Sequence, residues 1–331
     1  MKNLGRFVLP LLCATAVGIS SISTPPGWAA SVCPETNLGE TVLDCPWAGI
    51  ARDIEKRNAK GADRWVIGLL TQALPALKIS PSGTEFWGES INYDELAHGV
   101  IVHPSIIAAL EVIFHQRDRV VTGRQIVHAG MEHTYGYLFS TLRTPYGYKR
   151  ARWVQGEIEA GFGLPPGILG PKPFIQGNLF ANVTYFAGSI AFRDQPELLQ
   201  ALHSSLTTYS PELTQFNYSA LKPVRLEEQV QLGERIVTLR TDLVPFTLQS
   251  AAAGSGDSHL LVYSVSETNR LQPMKPARTV LITAFPVRSS FVSKITNPAS
   301  LGELRPIVTR YNAYVEGVSG SEINGSRKIK P

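Results

Sequence analysis

An α+β fold, helical first and sheet-rich later, is what the order of patterns in this 331-residue sequence predicts. Apolar residues recur at three- and four-residue steps in several segments before residue 120. From about residue 224 the chain turns into short segments rich in Val, Ile, Thr and Tyr, separated by polar or Pro/Gly turns. Between the two regimes lies the Gly/Pro-rich stretch "GFGLPPGILGPKP". The organisation this predicts is a signal peptide over 1–30, a helical region over 31–120 and a β-rich region over 121–331 that carries the site.

The first 30 residues set the expected compartment. Lys2 and Arg6 precede the apolar run "FVLPLLCATAVG", and "GWAA" follows, the layout of a secretory signal peptide. The run is short for a membrane span. Cleavage after Ala29 would use Gly27 and Ala29 as the small residues that signal peptidase needs, and cleavage after Ala30 serves nearly as well. Leu12 is too large for the small residue that precedes a lipidated cysteine, which argues against Cys13 as an anchor. The expectation is a secreted or periplasmic protein. Removal of the signal leaves Cys33 and Cys45, an even pair in an oxidising compartment, so a disulfide is predicted. Its short loop would contribute about 3 kcal/mol by loop-closure entropy.

Composition bounds the rest. A hydrophobic fraction of 44% with 18% charged residues supports a substantial core and excludes a disordered chain. The formal charge of +4 becomes +2 once Lys2 and Arg6 leave, so local charge says more about partners than the total does.

"PWAGIARDIEKRNAK" and "ADRWVIGLLTQALPAL" have helical spacing, and in "HPSIIAALEVIFHQRD" Ile106, Ile107, Leu110, Ile113 and Phe114 line one face behind Pro104. "NLFANVTYFAGSIAF" reads as a strand, and "DQPELLQALHSSL" as a helix with Asp194 as its cap. "RIVTLRT", "HLLVYSVS", "RTVLITAF", "SFVSKI" and "PIVTRYNAYV" read as strands.

One stretch gathers chemistry: "QIVHAGMEHTYGYLFSTLRTPYGYKRARW", residues 125–153. His128, Glu132 and His133 have neither H-E-x-x-H nor H-x-x-E-H spacing. On one helix the two histidines would point about 140° apart, and on one strand they would take opposite faces. A turn at Gly130 is what could bring them together. If "EHTYGYLFS" is a strand, His133, Tyr135 and Tyr137 share a face. "GYKRARWV" would then supply a neighbouring strand, with Lys149 and Trp153 on one face and Arg150 and Arg152 on the other. An imidazole beside phenols and cations suits acid/base work on a phosphate or carboxylate. The same residue types also decorate ordinary exposed sheets.

In order along the chain, "HPSIIAALEVIFHQRDRVVTG", "GMEHTYGYLFS", "GSIAFRDQPELLQAL" and "RTVLITAFPVRSS" resemble the successive landmarks of the EndoU endoribonucleases over residues 103–290. The resemblance implies a helical part followed by sheets, and cleavage of RNA 3′ of uridylates, often with Mn2+, to leave a 2′,3′-cyclic phosphate. It makes His133 the first of two acid/base histidines and Thr283 the late threonine. Lys149 stands where the second histidine belongs, no lysine precedes the "GS" segment, and Phe285 replaces the late tyrosine. Lysine titrates too high to share protons near neutrality unless burial lowers it. Either His128 is recruited in space or the chain is a fold relative without nuclease activity. RNA, or another anionic polymer, is the partner implied, with Tyr135, Tyr137, Arg143, Arg150, Arg152 and Trp153 as its binding surface. The alternatives are a secreted binding module without catalysis and a glycan-active enzyme.

Other motifs are weaker. Asn182, Asn217 and Asn324 head glycosylation sequons, and Asp94, Glu95 and His98 lie close together in "YDELAHG". Neither "GES" at Ser90 nor "GVSGSE" makes a G-x-S-x-G elbow.

Overall fold

The computed structural model describes residues 35–36, 40–41, 81–92, 100, 102, 104, 107, 119–122, 125–136, 157–165, 167–169, 179–206, 209–247, 257–272, 277–296 and 313–314. The chain divides into Met1–Ser31 and Val32–Pro331, and everything below concerns the second unit. Cys33, Cys45 and most of the expected N-terminal helices lie outside the described residues. Of the segment behind Pro104, Pro104 and Ile107 are helical, the first exposed and the second buried.

The architecture is α+β. Its centre is an antiparallel meander of four strands in sequence order: β6 (Val224–Leu232), β7 (Arg235–Thr247), β8 (Asp257–Asn269) and β9 (Arg278–Arg288). Period-two alternation sorts the side chains onto two faces. One carries Val237, Leu239, Leu243, Leu261, Tyr263, Val265, Phe285 and Val287, all buried. The other carries Asp242, Val244, Phe246, Leu260, Val262 and Ala284, also buried. β7, β8 and β9 carry buried residues on both faces and read as apolar, β-branched runs in the sequence, whereas the edge strand β6 has no buried residue.

On the second face lie α2 (Glu157–Gly161) and α3 (Leu179–Ala191). Phe162 bridges them to the sheet, with ring centroids 5.3 Å from Phe246 and 5.2 Å from Phe186. Residues 179–191 were expected as a strand and are a helix. Their Val, Thr, Tyr and Phe content favours β structure in isolation, but residues 181–192 are buried on every side, the signature of a central helix.

α4 (Pro196–Ser205) forms as predicted, with proline in its first turn. Its cap is corrected: Gln195 holds that position without a side-chain capping bond. Gln195 Oε1 instead accepts the Thr279 hydroxyl at 2.6 Å. Asp194 pairs with Arg225 and, at 3.5 Å, with Arg193. Arg225 also forks onto the buried Asp242, Nε to Oδ1 at 2.8 Å and Nη2 to Oδ2 at 3.1 Å. Short α5 (Glu212–Gln215) follows. "SFVSKI" is corrected from strand to helix, α6 (Ser289–Thr296), whose Val292 and Ile295, three apart, are the buried positions.

A second sheet has the order β10 (Ala313–Tyr314), β3 (Glu89–Ile91), β5 (Gln125–Ala129), β4 (Arg119–Thr122), all antiparallel. A separate ladder joins β1 (Glu35–Thr36) to β2 (Glu40–Thr41). Trp87 couples the second sheet to the meander. Its backbone bridges Leu281 of β9, Gly88 N–H donates to the Leu281 carbonyl at 2.7 Å, and its indole N–H donates to Thr184 Oγ1 of α3 at 2.9 Å.

Candidate functional site

Strand β5 runs without a loop into α1 (Gly130–Gly136). This overturns the expected strand over "EHTYG". In a helix His133 and Tyr135 are about 200° apart around the axis, so they do not share a face. His128 and His133 belong to different elements. The first sits in β5 opposite Ser90 and the second in α1.

The physical reason for the switch is a close approach. Gly130 N–H donates to the Gly88 carbonyl at 2.8 Å, and a Cβ on Gly130 would lie 2.2 Å from the Ile282 carbonyl oxygen. Only glycine lets the start of α1 lie against the outer edge of β9, next to the Trp87–Leu281 bridge. One turn later Thr134 completes the joint. Its hydroxyl donates to Gly130 O at 3.1 Å, accepts the Ala284 N–H at 3.3 Å, and comes within 3.5 Å of Thr283 Oγ1. β9 is irregular here: Tyr263 pairs with Thr283 but Ser264 pairs with Leu281, so Ile282 is an extra, bulged residue.

The fold therefore brings the segment of His133 against Thr283, although they lie far apart in sequence. Both side chains have 0% exposure, as does Glu132. A substrate could reach His133 only after movement of whatever covers it. The side chains of His128 and Tyr135 are not among those described. Tyr137, Arg143, Lys149, Arg150, Arg152 and Trp153 lie outside the described residues, as do Asp94, Glu95, His98 and Asn324. Among the described residues no three His, Cys, Asp or Glu side chains gather to hold a metal ion.

A second polar cluster escaped the sequence reading. Ser189 on α3 lies 3.1 Å from His203 Nε2 on α4. The His203 ring stacks on Tyr185 at 4.4 Å and 13°, and Tyr209 stacks on Tyr185 at 4.3 Å. Burial pulls the His203 pKa below its ordinary value and pushes the Tyr185 and Tyr218 phenols up. A neutral imidazole beside a serine hydroxyl has the composition of a nucleophile pair. Ser189 is buried in the last turn of α3, however, and the geometry is that of a hydrogen bond tying α3 to α4. Tyr185 and Ser189, four residues apart, share a face of α3, but their meeting with His203 depends on how α4 packs against α3.

Asn182 is also corrected as a glycosylation candidate. It is buried, donates to Ile168 O and Ser210 Oγ, and accepts the Ser210 N–H at 2.7 Å, whereas Asn217 is exposed. Compared with known proteins, the chain matches no family model, no curated protein and no solved structure.

Proposed function

We propose that this is an exported protein of EndoU type that acts on RNA, cleaving after uridylates to leave a 2′,3′-cyclic phosphate. The observation that supports it is the meeting of Thr134, next to His133, with Thr283 across the α1–β9 joint, which brings together two segments that the resemblance singles out far apart in the chain. In this reading His133 exchanges a proton with the ribose 2′-hydroxyl or the leaving 5′-oxygen. His128, five residues upstream in β5, supplies the second imidazole, and Lys149 stabilises the phosphorane charge. Arg143, Arg150 and Arg152 neutralise flanking phosphates, with Tyr135, Tyr137 and Trp153 as stacking partners.

The full burial of His133 favours a second reading, a secreted binding module that keeps the joint as structure and has no nuclease activity. One experiment separates the two. The mature protein is incubated with a uridine-containing oligonucleotide, with and without Mn2+, and the ends are analysed. Cyclic phosphates after uridylates, with a loss of roughly 100-fold or more in His133→Ala, are expected for the enzyme. Intact substrate under both conditions, with retained salt-sensitive binding, would leave only the binding module.

A further inference from the structure

We infer that Thr134 is a positioning residue that sets the orientation of His133 by pinning α1 to the bulged edge of β9. The inference rests on the RNA-cleaving reading for what His133 does, but not for where it sits. α1 has seven residues, about two turns, too short to hold its own geometry without tertiary contacts. Its direction is fixed by whatever docks it.

Two docking points lie four residues apart, on one helical face: Gly130 against the Ile282 carbonyl, and Thr134 against the Ala284 amide. They lie at the extra residue of β9 and two residues beyond it, so the bulged edge offers a carbonyl at 282 and an N–H at 284 to one side of one short helix. Gly130 supplies only proximity. Thr134 supplies the polar bond, and because its hydroxyl also donates to Gly130 O, the same atom links both docking points. His133 precedes Thr134 by one residue, about 100° around the axis, so rotation of α1 about its axis swings the imidazole directly. Thr283 lies between the two docked positions of β9. The joint thus fixes both residues in one frame.

The test uses Thr134→Val, which keeps the branched shape but cannot accept the Ala284 N–H, and Thr134→Ser, which keeps the hydroxyl. Three readouts are taken on the mature chain: oligonucleotide cleavage, the His133 imidazole NMR signal assigned through His133→Ala, and hydrogen exchange of the Ala284 amide in the unmodified protein. Thr134→Val is expected to lower kcat about 10- to 100-fold while leaving KM nearly unchanged, as misplacement of a reacting group does. The His133 signal should move in Thr134→Val and return in Thr134→Ser. The His203 signal, on α4, should stay in place. A general loss of stability would not produce that pattern. An unmoved His133 signal in folded Thr134→Val overturns the inference. So does an Ala284 amide that exchanges as fast as a solvent-exposed one, which needs no variant to fold. If the unmodified protein leaves RNA intact, the nuclease reading falls, and the imidazole and amide signals decide the positioning role by themselves.

Discussion

At the scale of single residues, the sequence named groups but not their neighbours. His133 and Thr283 are named by resemblance; the structure brings Thr134, the neighbour of His133, against Thr283, and the groups that make this joint, Gly130 and Thr134, are not among the candidate site residues. Their signal was present in the i, i+4 spacing of "GMEHT", but it has meaning only once that segment is a helix. His203 likewise drew no notice before its stacking on Tyr185 and its bond to Ser189 were seen. Its chemistry yields a pH prediction. Burial lowers its folded pKa, so as pH falls below about 6.5 the unfolded chain takes up the proton first. The associated stability is present above that pH and is lost as pH falls through the lower folded value. His203→Gln removes the titrating group. The drop in urea midpoint between neutral and mildly acidic solution should therefore be smaller in His203→Gln than in the unmodified protein. Parallel drops would show that His203 does not titrate differently in the two states. Asp194 acts at lower pH in the same sense. Although burial opposes ionisation, the Arg225 bond and the Arg225, Arg193 and Arg240 charges hold its carboxyl below the usual range.

At the scale of elements, β7 to β9 and the helix begun by Pro196 were legible, whereas β6 and the helices over 179–191 and 289–296 were not. Alternation and β-branched content gave β7, β8 and β9 because those strands are buried on both faces and show it along their length. "NLFANVTYFAGSIAF" and "SFVSKI" carry the same residue types and became helices. Intrinsic β-preference amounts to roughly 1 kcal/mol per site at most and yields to burial of a complete helix surface. The β6–β7 hairpin shows local sequence prevailing instead. Leu232 pairs with Arg235 across a two-residue turn, and Gly233 has φ +59°, where a Cβ costs about 1–2 kcal/mol. Nothing lies within 4 Å of a Cβ built there, so the cost is conformational, not steric. Gly233→Ala should lower unfolding free energy by about 1 kcal/mol, and Gly233→Asn by less, since asparagine tolerates this region better. Equal stability of all three proteins in denaturant titrations would show that the turn relaxes to another geometry.

At the scale of the whole molecule, Trp87 carries the link between the second sheet and the meander. It combines a backbone bridge to β9, a hydrogen bond to α3 and a ring buried in the core. Trp87→Ala should cost about 3–5 kcal/mol, most of it from the cavity, whereas Trp87→Phe should lose far less. If the joint transmits stability between the two parts, amides of β3 and β5 in Trp87→Ala should exchange by a local opening well before those of β7 and β8. Uniform protection across both sheets would mean that other contacts suffice. The sequence by itself determined the α+β class, the apolar strands of the meander, the helix begun by Pro196 and the absence of a standard zinc-protease motif, because these depend on periodicity and local residue chemistry. Tertiary structure alone decided that residues 130–136 and 179–191 are helical, that His133 is buried, that Thr134 meets Ala284, and that Ser189 meets His203. Each of these depends on which surfaces close over a segment, a quantity set by residues distant in the chain and invisible in any short window of sequence.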